Sequence, residues 1–272
     1  MVGGCPAGAC RPTTNAAGGV RARRAAASAA AVSAPMLYTP GMLALLYDVH
    51  GNLGALDAVL ADARGAGAGS WLLGGDYTLF GAEPEATAAR LRELPDATWI
   101  RGNGERWTAR PEDAPDNPVV PDAIRACREA LGQELVDELG ALPEHALLGG
   151  TRFVHGCPIS DVRSFAPEPG DEDEELLGGV TEARVVFGHT HLPFRRRSAS
   201  GAVELINPGS VGMPFDGDAR AAYALVHPDA TVEHRRVEYD MPASAARLRE
   251  RWPGAVWADT VARRLEQARM DV

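Results

Sequence analysis

Five short apolar runs in this chain each end beside glycine and an aspartate, histidine or asparagine. Met42-Leu43-Ala44-Leu45-Leu46-Tyr47 leads into Asp48-Val49-His50-Gly51-Asn52, and Ser70-Trp71-Leu72-Leu73 into Gly74-Gly75-Asp76. Ala97-Thr98-Trp99-Ile100 leads into Arg101-Gly102-Asn103-Gly104-Glu105. Phe153-Val154 leads into His155-Gly156, and Val185-Val186-Phe187 into Gly188-His189-Thr190-His191. Such runs read as buried strands. In an open α/β sheet the loops at the carboxyl ends of the strands converge on one site. The pattern therefore requires a strand-based fold in which these polar loops meet.

The segments between the runs set the fold class. Leu53, Leu56, Val59 and Leu60 recur at helical spacing within Leu53–Ala63, Glu83–Leu94 reads as a second helix, and Pro121–Leu139 as one longer helix stopped by Gly140. From Leu147 the pattern changes to hairpins: Leu147-Leu148 with Thr151–Val154 across Gly149-Gly150, Phe194–Arg197 with Val203–Ile206, and Ala222–Val226 with Thr231–Val237. Helical connections followed by hairpins predict an α/β, four-layer architecture: two mixed sheets packed as a sandwich, helices outside, and a di-metal site at the carboxyl ends of the strands. The expected organisation is an N-terminal segment 1–40, a core domain 41–240 and a helical extension 241–272, interrupted at Pro253-Gly254.

Composition removes several function classes. A net charge of −10 argues against a duplex nucleic acid partner. No apolar stretch approaches the roughly 20 residues of a membrane span, and four cysteines in 272 residues do not make a disulfide scaffold. The first acidic residue is Asp48, so the Arg-, Ala- and Gly-rich segment before it lacks the side chains to form a core. It reads as disordered, as upstream of a true start at Met36 or Met42, or as a targeting segment marked by Arg23-Arg24 and the alanine run. The leading expectation is a cytoplasmic protein.

The loop residues form a mixed oxygen and nitrogen set. Asp48 and Asp76 offer carboxylates, Asn103 an amide oxygen, and His50, His155, His189 and His191 imidazoles. These donors suit Mn²⁺, Fe, Zn²⁺ or Ni²⁺. Seven side chains are too many for one ion, and fit two that share a carboxylate. Two ions about 3.5–4 Å apart hold a hydroxide between them and clamp a phosphoryl group.

The order D-x-H, G-D, G-N, H-G, G-H-x-H over residues 42–240 resembles the calcineurin-like metallophosphoesterase superfamily. Asp48-Val49-His50-Gly51-Asn52, Gly188-His189-Thr190-His191 and Asn207-Pro208-Gly209-Ser210 resemble its small bacterial and archaeal phosphodiesterase branch. The resemblance implies that Asp48, His50 and His191 hold one ion, that Asn103, His155 and His189 hold a second, and that Asp76 bridges them. Mn²⁺ is the favoured metal. Asp76, Asn103 and His189 carry catalysis through the bridging hydroxide, and Asn52 and the Asn207–Ser210 turn stand behind the ligands. Many relatives carry histidine after the G-N pair as the acid for the leaving oxygen; here Gly104 stands there. Glu105 is the one candidate substitute, and the stronger expectation is that it orients a ligand or pairs with an arginine.

The resemblance points to phosphodiester hydrolysis on a small phosphodiester or nucleotide substrate, without a membrane partner and with a homo-oligomer allowed. The alternatives are a phosphomonoesterase or dinucleoside polyphosphate hydrolase, and a non-catalytic scaffold or nucleotide sensor of the same fold, as in the retromer coat. Elsewhere, Arg195-Arg196-Arg197 reads as a solvated strand edge, Asp171–Glu175 as a solvated helix start, and Cys127 and Cys157 as buried packing residues. His145, His227 and His234 stand outside the motifs, and Cys5 and Cys10 have no partners at metal-like spacing.

Overall fold

The computed structural model describes residues 41–271. The readings made of residues 1–40, including Cys5, Cys10 and the targeting segment, lie outside the described residues.

The first part of the chain alternates strand and helix: β1 (Met42–Leu46), α1 (Leu53–Gly65), β2 (Ala68–Leu73), α2 (Pro84–Arg92), β3 (Ala97–Trp99) and α3 (Asn103–Ala109). Two more helices follow, α4 (Val120–Leu131) and α5 (Gln133–Gly140). Then come β4 (His145–Leu148), β5 (Thr151–Val154), α6 (Asp173–Leu177), β6 (Arg184–Val186), β7 (Phe194–Arg197) and β8 (Glu204–Asn207). The chain closes with β9 (Ala221–Val226), β10 (Val232–Val237), α7 (Met241–Arg251) and α8 (Val256–Gln267).

Ten strands form two mixed sheets of five, ordered β10-β9-β1-β2-β3 and β4-β5-β6-β8-β7. β1, β2 and β3 run parallel, as do β5, β6 and β8, while the hairpin strands run antiparallel at the flanks. The pleat divides each central strand between two cores. Leu43 and Leu45 of β1 meet Phe153, Val186 and Ile206 of the opposite sheet, whereas Ala44 and Leu46 face Leu56, Val59 and Leu60 of α1. On the second sheet Val154, Val185 and Leu205 point outward to Phe165 and to Leu176 and Leu177 of α6. Burial on both faces explains why β1 reads as an unbroken apolar run. A fourth core joins α4, α7 and α8 around Leu79, Met213 and Trp257.

Two expectations are corrected. The stretch Pro121–Leu139 is not one helix: Gly132, at φ +74°, breaks it into α4 and α5, a conformation that glycine adopts readily. The start of α6 is not wholly solvated either. Asp173 is buried, and its carboxylate takes two hydrogen bonds from Arg196 at 2.6 and 2.9 Å and one from the Ala199 amide at 2.8 Å. Arg196 sits on β7 at a sheet edge, but this pairing leaves its side chain only 9% exposed rather than solvated as expected. Among the described residues no helix is long and apolar enough to cross a membrane.

Candidate metal centre

Every residue of the motif set lies just past the carboxyl end of a parallel strand: Asp48 and His50 after β1, Asp76 after β2, Asn103 after β3, His155 after β5, and His189 and His191 after β6. Five of them, Asp48, His50, Asp76, His189 and His191, take positive φ between 49° and 67°. That region is sparsely populated by non-glycine residues and concentrates at functional sites. It turns the chain sharply enough for both residues of each i, i+2 pair to face the same point.

Two clusters result. Asp48, His50 and His191 present donor atoms within 4.8 Å of one another, and so do Asp48, Asp76 and His155. Asp76 reaches both sides: Oδ2 is 3.9 Å from His50 Nε2, and Oδ1 is 3.5 Å from His155 Nε2. Asp48 Oδ1 lies 3.5 Å from His191 Nε2 and 3.9 Å from His155 Nε2. Asn103 Oδ1 is 2.9 Å from His155 Nε2, and its amide end is within 2.8 Å of His189 Nδ1 when turned about. The fold therefore brings all seven predicted residues together.

The donor set fits cations. His50 Nδ1 lies 2.9 Å from the Leu79 carbonyl, His155 Nδ1 2.9 Å from Gly74, and His191 Nδ1 2.5 Å from Met213. A carbonyl oxygen only accepts, so each Nδ1 carries the proton and each Nε2 presents a lone pair to the centre. His50 Nε2 and His191 Nε2 then face each other at 3.1 Å, lone pair against lone pair. Asp48 Oδ1 is buried without a hydrogen-bond partner. With its oxygen inward Asn103 also opposes an imidazole lone pair; reversed, it would donate to both imidazoles. A cation relieves all these contacts at once and favours the inward oxygen.

Burial governs the titration of the centre. It holds His50 and His191 below the ordinary imidazole value, and His189 down at about 4, with the neighbouring His155 adding to the last. At His155 burial acts the same way, but the carboxylates of Asp76 and Asp48 outweigh it and raise the pKa. Burial lifts Asp48 to about 8 against the pull of His155, with Asp76 adding to the rise. Neutral imidazoles are metal-competent, and divalent charge would return the Asp48 carboxyl to its ionised form.

A sequence profile described as the calcineurin-like phosphoesterase superfamily domain matches residues 42–231. The chain belongs to the calcineurin-like phosphoesterase superfamily. An uncharacterised protein of Methanocaldococcus jannaschii is similar, with 28% identity over 220 residues, 74% of this chain and 88% of that protein. The crystal structure of a metallophosphoesterase from Sphaerobacter thermophilus aligns with a TM-score of 0.72 and 27% identity, covering 85% of this chain and all of that one. A hypothetical protein from Pyrococcus horikoshii shares the fold, with a TM-score of 0.69 at 20% identity over 79% of this chain and 96% of its own. Membership in this family implies metal-dependent phosphoric ester hydrolysis.

In this phosphoesterase domain the loops are braced from behind. Asn52 donates to the Gly212 carbonyl at 2.9 Å and accepts from the Ala55 amide, capping α1. Asn207 donates to the Gly188 carbonyl and to Thr190 Oγ1, both at 3.0 Å, and so holds the loop that carries His189 and His191. Ser210 Oγ donates to the Asp48 carbonyl at 2.7 Å. The Asn207–Ser210 turn thus supports two ligand loops at once.

Glu105 is not placed as an acid. Its carboxylate accepts from the backbone amides of Asp76 at 2.8 Å, Tyr77 at 2.7 Å and Gly102 at 2.9 Å, and it is only 2% exposed. It pairs with no arginine among the described residues. It anchors the Asp76 loop through these backbone amides. A Cβ at Gly104 would stand 2.9 Å from Asp76 Oδ1, and the Gly104 amide instead donates to that oxygen at 2.6 Å. A side chain at position 104 would press on the Asp76 carboxylate.

Above the centre opens a cavity of about 410 Å³, floored by His50, Asp76, Asn103, His189 and His191. Phe215 stacks flat on His191, with ring centroids 4.4 Å apart and planes 9° apart. The walls, drawn from Phe80, Trp107, the Pro115–Val120 loop, Phe215 and α8, were not apparent in the sequence. No motif marks them, because they converge only through tertiary packing.

Proposed function

We propose that this protein hydrolyses phosphodiesters of small molecules with two divalent ions, Mn²⁺ favoured by the hard oxygen and nitrogen donors. Asp48, His50 and His191 would hold one ion, and Asn103, His155 and His189 the other, with Asp76 between them. The observation that carries the reading is the reach of Asp76, whose two carboxylate oxygens face the two imidazole clusters separately. When bound, the ions would supply the charge that activates water and stabilises a phosphoryl group during in-line displacement.

The chain's own residues do the rest. The backbone carbonyls of Gly74, Leu79 and Met213 fix the imidazole tautomers. Asn103 and His189 line both the centre and the cavity, where they meet the phosphoryl oxygens. Glu105 holds Asp76 in place through the backbone. The leaving oxygen departs without a protonated carboxyl beside it, which favours good leaving groups. A cavity of this size suits a small ester better than a polypeptide.

The test is hydrolysis of bis-p-nitrophenyl phosphate by metal-stripped protein with Mn²⁺ or Ni²⁺ restored, beside Asp76→Asn and His189→Ala. Metal-dependent turnover that both substitutions abolish is expected. Two ions bound without turnover on any ester would favour a nucleotide sensor, and no bound ion would refute the catalytic reading.

A further inference from the structure

We propose that Arg264, delivered by α8, binds the phosphate of the substrate, and that the apolar wall beside it receives a flat aromatic group, so that the substrates are aryl phosphoesters. The inference builds on the phosphoesterase reading only in setting which end of the ligand meets the metal centre.

The argument starts from charge. Apart from the imidazoles of the floor, Arg264 is the only cationic side chain on the walls of the 410 Å³ cavity among the described residues. It is half-buried, and its Nε donates to the Met270 carbonyl at 3.0 Å. Among the described residues neither terminal nitrogen of the guanidinium has a hydrogen-bond partner. Among the described residues no carboxylate lies within 4 Å of it. Burial alone holds its pKa below the usual arginine value, with no anion to offset the lost hydration.

The arginines on the other side of the centre differ. A second hollow of about 380 Å³ reaches His155 and is bordered by Arg101, Arg106 and Arg110. Each of those is neutralised: Arg101 by Glu144, Arg106 by Asp161 and Asp113, and Arg110 by Asp113. Arg264 keeps its charge for a ligand, and a guanidinium fork matches phosphate oxygens.

The rest of the wall is apolar. Phe80, Trp107, Pro118, Val119, Met213 and Phe215 line the same cavity as Arg264 and the ligand floor. Asn117, the polar exception, spends its side-chain oxygen on the amides of Val119 and Val120, at 3.0 and 2.9 Å. A wall of this kind takes up a flat apolar ring and offers little to an alkyl-poor or highly hydroxylated group. The lack of an acid for the leaving oxygen points the same way, since aryl oxides depart without a proton more readily than alkoxides.

The test uses the full chain loaded with Mn²⁺ and compares the calorimetric affinity of phenylphosphonate and methylphosphonate, with metal content measured in parallel. Phenylphosphonate is expected to bind the wild type about tenfold or more tightly than methylphosphonate. Arg264→Ala should weaken both by about tenfold to a hundredfold with metal content unchanged, and Arg264→Lys should restore part of the loss. Trp107→Leu should shrink the phenyl preference while sparing methylphosphonate. In hydrolysis of bis-p-nitrophenyl phosphate, Arg264→Ala should raise KM. Equal affinity of the wild type for the two phosphonates overturns the aromatic assignment. Wild-type affinity and KM in Arg264→Ala, even with lowered stability, overturns the phosphate assignment and leaves the phosphodiesterase reading standing. Binding as expected without turnover on any ester fails that reading while supporting this one.

Discussion

Replacing Glu105 with glutamine separates a residue that builds the centre from one that donates a proton. Glu105 Oε2 accepts from the Asp76 and Gly102 amides and Oε1 from the Tyr77 amide, at 2.7–2.9 Å. In Glu105→Gln the amide oxygen can keep the two bonds at the Oε2 position, each weaker by about 1 kcal/mol for want of charge. The amide nitrogen then faces the Tyr77 N–H, leaving a buried donor unsatisfied at about 1–3 kcal/mol. Removing a buried charge returns part of its desolvation cost, and burial together with Asp76 already lifts Glu105 to about 7. The net loss of stability is expected to be about 2 kcal/mol, read by urea unfolding of the metal-free protein. Because Asp76 hangs from this carboxylate, metal affinity should fall about 10–100-fold. Turnover at subsaturating metal should fall by the same factor for esters of good and poor leaving groups. If Glu105→Gln instead keeps stability and metal affinity and slows only esters of poor leaving groups, Glu105 is a general acid and the positional account is wrong.

Three further perturbations follow from the geometry. Gly104→Ala puts a methyl group 2.9 Å from Asp76 Oδ1; displacing that carboxylate should lower metal affinity about tenfold or more, and unchanged metal titration would contradict the contact. Leu45→Ala opens a hole where the two sheets meet and should cost about 2–5 kcal/mol in chemical unfolding, with activity per folded molecule retained. At Asp173 burial opposes ionisation, but the bonds from Arg196 and Ala199 outweigh it and depress the pKa. That stability is present above the ordinary carboxylate pKa and lost as pH falls through the depressed one. Asp173→Asn should therefore destabilise the protein by about 3 kcal/mol at neutral pH and flatten its stability profile below about pH 4; a profile parallel to that of the wild type would refute the pair's contribution.

Local chemistry accounts for what could be read without the fold. The positions of β1, β2 and β6 follow from apolar runs bounded by glycine, and the hairpins around Gly149-Gly150 and Ser198–Gly201 follow from turn residues. The seven motif residues are legible because metal chemistry restricts both their types and their place after a strand. Gly132 was visible too, but its effect depended on a backbone angle, and the helical pattern runs on across it with Val136 and Leu139. α3 was hidden because its first residues, Asn103 and Gly104, look like loop and its start is held by Glu105 from within the site.

The sequence by itself pointed to the two-sheet architecture and to the candidate ligands, since periodicity and donor chemistry are local properties that survive in one dimension. Only the tertiary structure decided where Glu105 points and what stands above the centre. Phe215, Trp107 and Arg264 are separated by up to 157 positions in the chain and carry no shared spacing. They line one cavity because α3, the segment before α4, and α8 pack over the strand ends. Proximity between distant segments is set by the packing of whole elements, and no local pattern encodes it.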